Sequence, residues 1–127
     1  MNHGKPRKTS VDVEMAKAKA LFVAAVQSAK ELGLGSAELA HILGIPEGAM
    51  RNLGEGTRFL SGTNGEAEQA DALVHILADL KALVGDEQAK VRSWIRTMHD
   101  RLGAKPLEVM QRKGGVLTVR DFLLRTT

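Results

Sequence analysis

Cysteine and tyrosine are absent from this chain, and its aromatic residues are one tryptophan and three phenylalanines. Without cysteine there can be no disulfide, thiol nucleophile or thiolate metal ligand, which fits a protein of the reducing cytoplasm. So few aromatics argue against a sheet core, where aromatic and β-branched residues predominate. Leu, Val, Ile, Met and Ala are left to fill an interior of closely packed helices. No apolar run approaches the ~20 residues that span a bilayer. The basic start, MNHGKPRKTS, lacks the apolar stretch and cleavage site of a signal peptide and reads as a tail. Equally missing are a nucleophile–base pair, a carboxylate pair in an identifiable cleft and any metal-ligand spacing, and the four histidines, at 3, 41, 75 and 99, are scattered. These absences point to a non-enzymatic cytoplasmic binding protein that needs no metal or cofactor.

What is present suits one compact domain, or two small lobes sharing a core: 127 residues, 43% hydrophobic and 26% charged. The net charge of +3 hides an uneven distribution, with −4 over residues 65–90 and +5 over residues 91–127. A basic tail and a basic C-terminal third can meet a polyanion or an acidic protein surface. The acidic middle argues against DNA wrapping the whole molecule.

The stretch from Ser36 to Leu53 predicts two short helices joined by a tight turn, a helix-turn-helix. Ala40 sits where the helices touch and Gly44 where the chain reverses. Leu39, Leu43, Ile45, Met50 and Leu53 form the converging inner faces, and Pro46 is placed to open the second helix. In such a unit base edges are read from the start of the second helix. There, Glu47 is repelled by phosphate and Gly48 and Ala49 read little, so Arg51 and Asn52 carry the donor chemistry. Ser36, Arg58 and the tail residues Lys5, Arg7 and Lys8 complete the DNA-facing candidates. The same helix pair can equally be a packing scaffold, and the tail a solubilising arm.

Around this unit the pattern predicts further helices. Thr9 or Ser10 caps one that runs to Leu32 and stops at Gly33, with Val11, Met15, Leu21, Phe22, Val26 and Leu32 inward. Its many alanines suit close packing in the core or in a dimer. Residues 54–65, with four glycines, form a loop anchored by Phe59 and Leu60, and their spacing matches no phosphate-binding motif. Thr63 and Glu66 form a capping box for a helix bearing Leu73, Ile76, Leu77, Leu80 and Leu83, on which His75 and Asp79 pair. Asp86 caps a helix reaching Gly103, with Val91, Trp94 or Ile95, Met98 and Leu102 inward and Arg92, Arg96 and Arg101 outward. Pro106 starts a short helix stopped by Gly114 and Gly115. Thr118 caps the last, which points Val119, Phe122 and Leu123 inward and leaves Arg120, Leu124 and Arg125 near the surface.

From Phe59 onward the landmarks are Leu60-Ser61, an acidic helix ending in Leu83-Val84-Gly85, Trp94-Ile95-Arg96-Thr97, Leu102-Gly103, Lys105-Pro106-Leu107-Glu108, Gly114 or Gly115, Val119 and Leu123. Over roughly residues 30 to 125 the chain resembles the antitoxins of the Xre/MbcA/ParS type. The resemblance implies an all-α fold of about seven helices. It would comprise a basic disordered tail (1–9), an Xre-like helix-turn-helix region (10–62) and a helical toxin-binding domain (63–127). It further implies a type II antitoxin, dimeric through its N-terminal region, that blocks a RES-domain toxin acting on NAD and binds its own operator DNA. Carried over by position, the toxin-facing residues are Lys105, Pro106, Arg112, Lys113, Arg120, Phe122, Leu124 and Arg125. The chain departs from the family where Met98-His99 stand in place of Pro-Asn, which predicts a helix running on unbroken. The alternative is a stand-alone transcription regulator without a toxin.

Overall fold

The computed structural model describes residues 10–126. They form seven α-helices: α1 (Ser10–Leu32), α2 (Ser36–Leu43), α3 (Ala49–Glu55), α4 (Glu66–Val84), α5 (Gln88–Ile95), α6 (Pro106–Met110) and α7 (Gly115–Thr126). The expected all-α architecture is what the chain adopts; among the described residues the sole extended pairing is an isolated bridge between His99 and Ala104. No described helix is long and apolar enough to cross a membrane.

The core is organised around α4, which packs against α1, α2, α5 and α7. Its Ala70, Ala72, Leu73, Ile76, Leu77 and Leu80 are all buried, an apolar arc wide enough to serve several neighbours at once. One cluster of buried side chains runs from Phe22 on α1 through Leu43, Leu53 and Ile76 to Val119 and Leu123 on α7. The N-terminal helices and the C-terminal helices therefore share one interior.

α1 enters that interior only through its second half. Phe22, Ala25, Ser28, Ala29 and Leu32 are buried, whereas Val11 and Met15, expected inward, are 65% and 39% exposed. There, among the described residues, Phe59 and Leu60 line a groove of about 330 Å³ with this end of the helix. Leu60 is buried and anchors its loop as expected.

In the α2–α3 unit, Ala40 is fully buried and Gly44 takes a left-handed conformation with φ 73°. Gly44 and Ile45 donate to the His41 and Ala40 carbonyls, closing α2 as a glycine C-cap does. Pro46 does not open α3. It begins a lead-in turn in which Ala49 and Met50 donate to the Pro46 and Glu47 carbonyls, an i→i+3 pattern tighter than an α-helix, and α3 proper starts at Ala49.

Three other expectations are corrected. The residue before α4 is Gly65, not Thr63, and the Glu66 carboxylate turns back into the preceding loop. His75 donates from Nδ1 to the Asp71 carbonyl at 2.8 Å and lies 3.4 Å from its carboxylate, so its partner is Asp71 and not Asp79. α5 ends at Ile95, about two turns early. The Thr97 hydroxyl donates to the Ser93 carbonyl and the His99 Nε2 hydrogen bonds the Trp94 carbonyl at 3.1 Å. Side chains thus satisfy the last helical acceptors, and the chain turns at Gly103, φ 75°, where His99 accepts from Leu102 and Gly103. With the helix ended, Met98 is 58% exposed and not inward.

At the C-terminus Pro106 is the first residue of α6, as predicted, and Lys105 its N-cap. α7 begins at Gly115, three residues before the predicted cap at Thr118. Gly115 is buried against α6, and a Cβ there would run into the Val109 carbonyl. Close approach of the two backbones, not the end of a helix, is what requires glycine.

Candidate functional site

The DNA-facing candidates do not form one surface of free donors. Ser36 is the first residue of α2, exposed, next to the N-cap Gly35, whose N–H donates to Glu38 Oε1 at 3.0 Å. On α3 the Arg51 side chain is 84% exposed and pairs with Glu55 one turn on, at 2.9 Å. Asn52 is exposed, and its carbonyl accepts from the Thr57 and Arg58 N–H groups and from the Thr57 hydroxyl.

Arg58 is turned inward. Its Nη2 donates to Glu66 Oε2 at 2.8 Å, and its Nη1 is enclosed without a partner in the described residues. Glu66, 3% exposed, also accepts from the Ser61 N–H and the Asn64 amide. Burial pushes the carboxyl up. The Ser61, Arg58 and Asn64 hydrogen bonds and the Arg58 charge outweigh burial and hold it below its ordinary value. This buried network fixes the loop between α3 and α4. Lys5, Arg7 and Lys8 lie outside the described residues.

The toxin-facing candidates spread over three places. Arg112 and Lys113 stand exposed in the turn between α6 and α7, next to Gln111, whose Oε1 is 3.3 Å from His41 Nδ1 on α2. Lys113 borders a groove of about 510 Å³ shared with Gly44 and Pro46. Lys105 is exposed, but Pro106 is buried and packs α6. On α7, successive residues turn by 100°, so Phe122 points well away from Arg120 and Leu124. Arg120 reaches back to Asp71 on α4 at 3.4 Å. Leu124 is 56% exposed, and Arg125, also exposed, pairs with Asp121 at 3.2 Å.

Phe122, expected inward, is half-buried in an aromatic group with Trp94 and His99. The Trp94 and His99 ring centroids are 4.3 Å apart, and Phe122 lies 6.2 Å from each. Trp94 is likewise half-buried, while its neighbour Ile95 is fully buried, which decides between the two inward alternatives. Of the chain's four Phe and Trp residues only Phe22 is buried, and Trp94 and Phe122 are the two that stand together at a partly open surface. Their scarcity was the one signal in the sequence that could have marked them.

Arg92 and Arg96 are exposed, as expected of the outer side of α5, and from there they also bind the end of α1. Arg92 donates from Nε to the Glu31 carbonyl at 3.1 Å and from Nη2 to the Lys30 carbonyl at 3.0 Å. Arg96 donates to the Leu32 and Gly33 carbonyls, each at 2.9 Å. The Lys30 carbonyl also accepts from the Gly33 N–H, so the arginines add to the backbone closure of α1, and their charge meets the negative end of its dipole. The guanidiniums lock α5 to the segment that leads directly into α2. Among the described residues no group of three or more His, Asp or Glu is placed to hold a metal ion.

Residues 79–126 match the family described as the antitoxin Xre/MbcA/ParS C-terminal toxin-binding domain. The match covers α5, α6, α7 and the end of α4, and bears out the resemblance carried by Trp94, Lys105-Pro106-Leu107-Glu108 and Leu123. No curated protein matches the chain.

Proposed function

On the premise of the toxin-binding domain that residues 79–126 match, we propose that this chain is the antitoxin of a type II toxin–antitoxin pair, and that it binds and blocks a RES-type toxin acting on NAD in the cytoplasm. The match is the observation that carries the proposal. It is supported by the charge of the same region, +5 over residues 91–127, and by the exposure of Lys105, Arg112, Lys113, Leu124 and Arg125. An NAD cleft must hold phosphates, and cations on an inhibitor can occupy the place of the groups that do so or pair with acidic groups at the rim.

The test is co-expression with a RES-type toxin from an adjacent reading frame. The chain restores growth, and the triple reversal Arg112→Glu, Lys113→Glu, Arg125→Glu weakens that rescue while the protein stays folded. Truncating α7 is an unsuitable test, since α7 buries Val116, Val119 and Leu123 in the shared core. Full rescue by the triple variant would remove the basic residues from the interface. Failure of the unaltered chain to restore growth would remove the antitoxin function itself.

Two further parts of the proposal concern the N-terminal region. Arg51 and Asn52 on α3, with Ser36 on α2, contact the operator of the chain's own operon. The chain dimerises through α1, where Val11, Val13, Met15 and Val23 are exposed. Loss of an operator footprint in Arg51→Ala, and a dimer-to-monomer change in Met15→Glu by sedimentation, are the expected results.

A further inference from the structure

We propose that the toxin is anchored by the aromatic surface at the end of α5, formed by Trp94, His99 and Phe122 with the adjoining Met98, and not chiefly by the basic residues of the α6–α7 turn. This rests on the antitoxin function proposed above and names the surface that carries it.

Three observations meet at this place. First, the chain is poor in aromatics, and an aromatic-poor protein gains most by burying them. Yet Trp94 and Phe122 remain half-buried, with the His99 ring between two open grooves. One groove, about 380 Å³, runs along α5 past Val84, Ala89, Ser93, Trp94 and Thr97 to His99. The other, about 400 Å³, continues from His99 past Arg101, Phe122 and Thr126. Second, the surface is held rigidly. His99 is fixed by its hydrogen bond to the Trp94 carbonyl and by the bridge to Ala104, so docking orders little that is not already ordered. Third, every residue lining both grooves lies within the stretch that matches a toxin-binding domain.

Partly exposed aromatic side chains held between grooves are the usual centre of a protein interface, where few residues carry most of the binding energy, and the exposed Met98 directly precedes His99 in the chain. The rim sets the chemistry of the occupant. Lys90, 3.6 Å from Glu87, borders the first groove, and Arg101 borders the second beside Asp100; the second groove lies wholly within the stretch of +5 net charge. The partner surface is therefore an apolar ridge of aliphatic side chains that straddles His99, flanked by carboxylates. A second copy of this chain is the competing occupant, since residues 65–90 carry −4.

The experiment measures affinity of the full chain for the purified RES-type toxin from the adjacent reading frame. It compares Met98→Glu, Ala89→Glu on the far side of the first groove, and Arg112→Glu as the alternative site. Met98 and Ala89 are exposed, and neither side chain is needed for the fold. The expected result is that both glutamate variants bind about tenfold or more weakly with unchanged thermal midpoints, and that Arg112→Glu binds with a smaller loss. Wild-type affinity in both Met98→Glu and Ala89→Glu would overturn the anchor and leave the antitoxin function standing. A wild-type chain that neither binds nor suppresses the toxin would overturn both. If Met98→Glu altered the sedimentation of the free chain and not its affinity for the toxin, the surface would belong to a second copy and the proposal would fail.

Discussion

Two residues whose roles come from enclosure make the sharpest residue-scale predictions. Glu66 has a folded pKa held below its ordinary 4.5. It therefore stabilises the fold fully above that value and loses the contribution as pH falls through the lowered folded pKa. Glu66→Gln, measured by urea unfolding, is expected to cost about 2 kcal/mol at pH 7, because it removes charge-assisted hydrogen bonds to Arg58 and Ser61. It should also flatten the decline in stability on acidification below pH 4.5; a decline as steep as the wild type's would place the acid sensitivity elsewhere. Gly115 is the second case. Gly115→Ala drives a methyl into the Val109 carbonyl, which as backbone cannot step aside, and is expected to destabilise by about 3 kcal/mol. Gly54, inside α3 with open space around it, is its control. Gly54→Ala should stabilise by about 0.5–1 kcal/mol through the helical preference of alanine, so the two denaturation midpoints move in opposite directions. Neither role could be read locally: the glutamate looked like half of a capping box and the glycine like a stop signal.

Among the elements, α5 is the one whose sequence pattern was most misleading. It ends about two turns early, and its arginines, exposed as a charged face at helical spacing should be, have partners that the spacing does not reveal. The structure turns Arg92 and Arg96 onto the last carbonyls of α1, where they cap a helix from a distant part of the chain. The double variant Arg92→Ala, Arg96→Ala is expected to lower stability by about 2–3 kcal/mol in chemical denaturation, since it removes the side-chain bonds to the last carbonyls of α1, leaving only the backbone closure by Gly33 and Leu34, and loosens the α1–α5 contact. Arg101→Ala, at an exposed position, should change stability by less than about 0.5 kcal/mol. Equal effects for the two would deny the arginines their capping role. The early end of α5 has the same origin. Thr97 and His99 can continue a helix or cap one, and the bridge from His99 to Ala104 selects the second. Where competing contacts were absent, as at the C-terminal end of α4 before Gly85 and at Pro106 and Gly33, the predicted elements and boundaries agree closely with those observed.

For the molecule as a whole, the separation of charge is a property of the chain and its consequence is kinetic. A C-terminal third of +5 meeting an acidic partner should associate quickly at low salt. Raising sodium chloride from about 50 to about 500 mM is expected to cut the association rate with the toxin by about tenfold and change dissociation far less, as stopped-flow mixing would show. An association rate indifferent to salt would assign recognition to apolar contact alone. The sequence by itself determined the helical class, since apolar residues recur at helical spacing and a chain poor in aromatics and rich in Leu and Ala favours packed helices over a sheet. It also carried the landmarks from Trp94 to Leu123, because these are local strings. Only the tertiary structure decided which residues are free to meet a partner. It withdrew Arg58, Pro106 and Arg120 into internal contacts, set Phe122 on a different side of α7 from Leu124, and left Trp94 and Met98 at the surface. The physical reason is that helical periodicity sets the angle at which a side chain leaves its helix. What it then touches depends on helices far away in the chain.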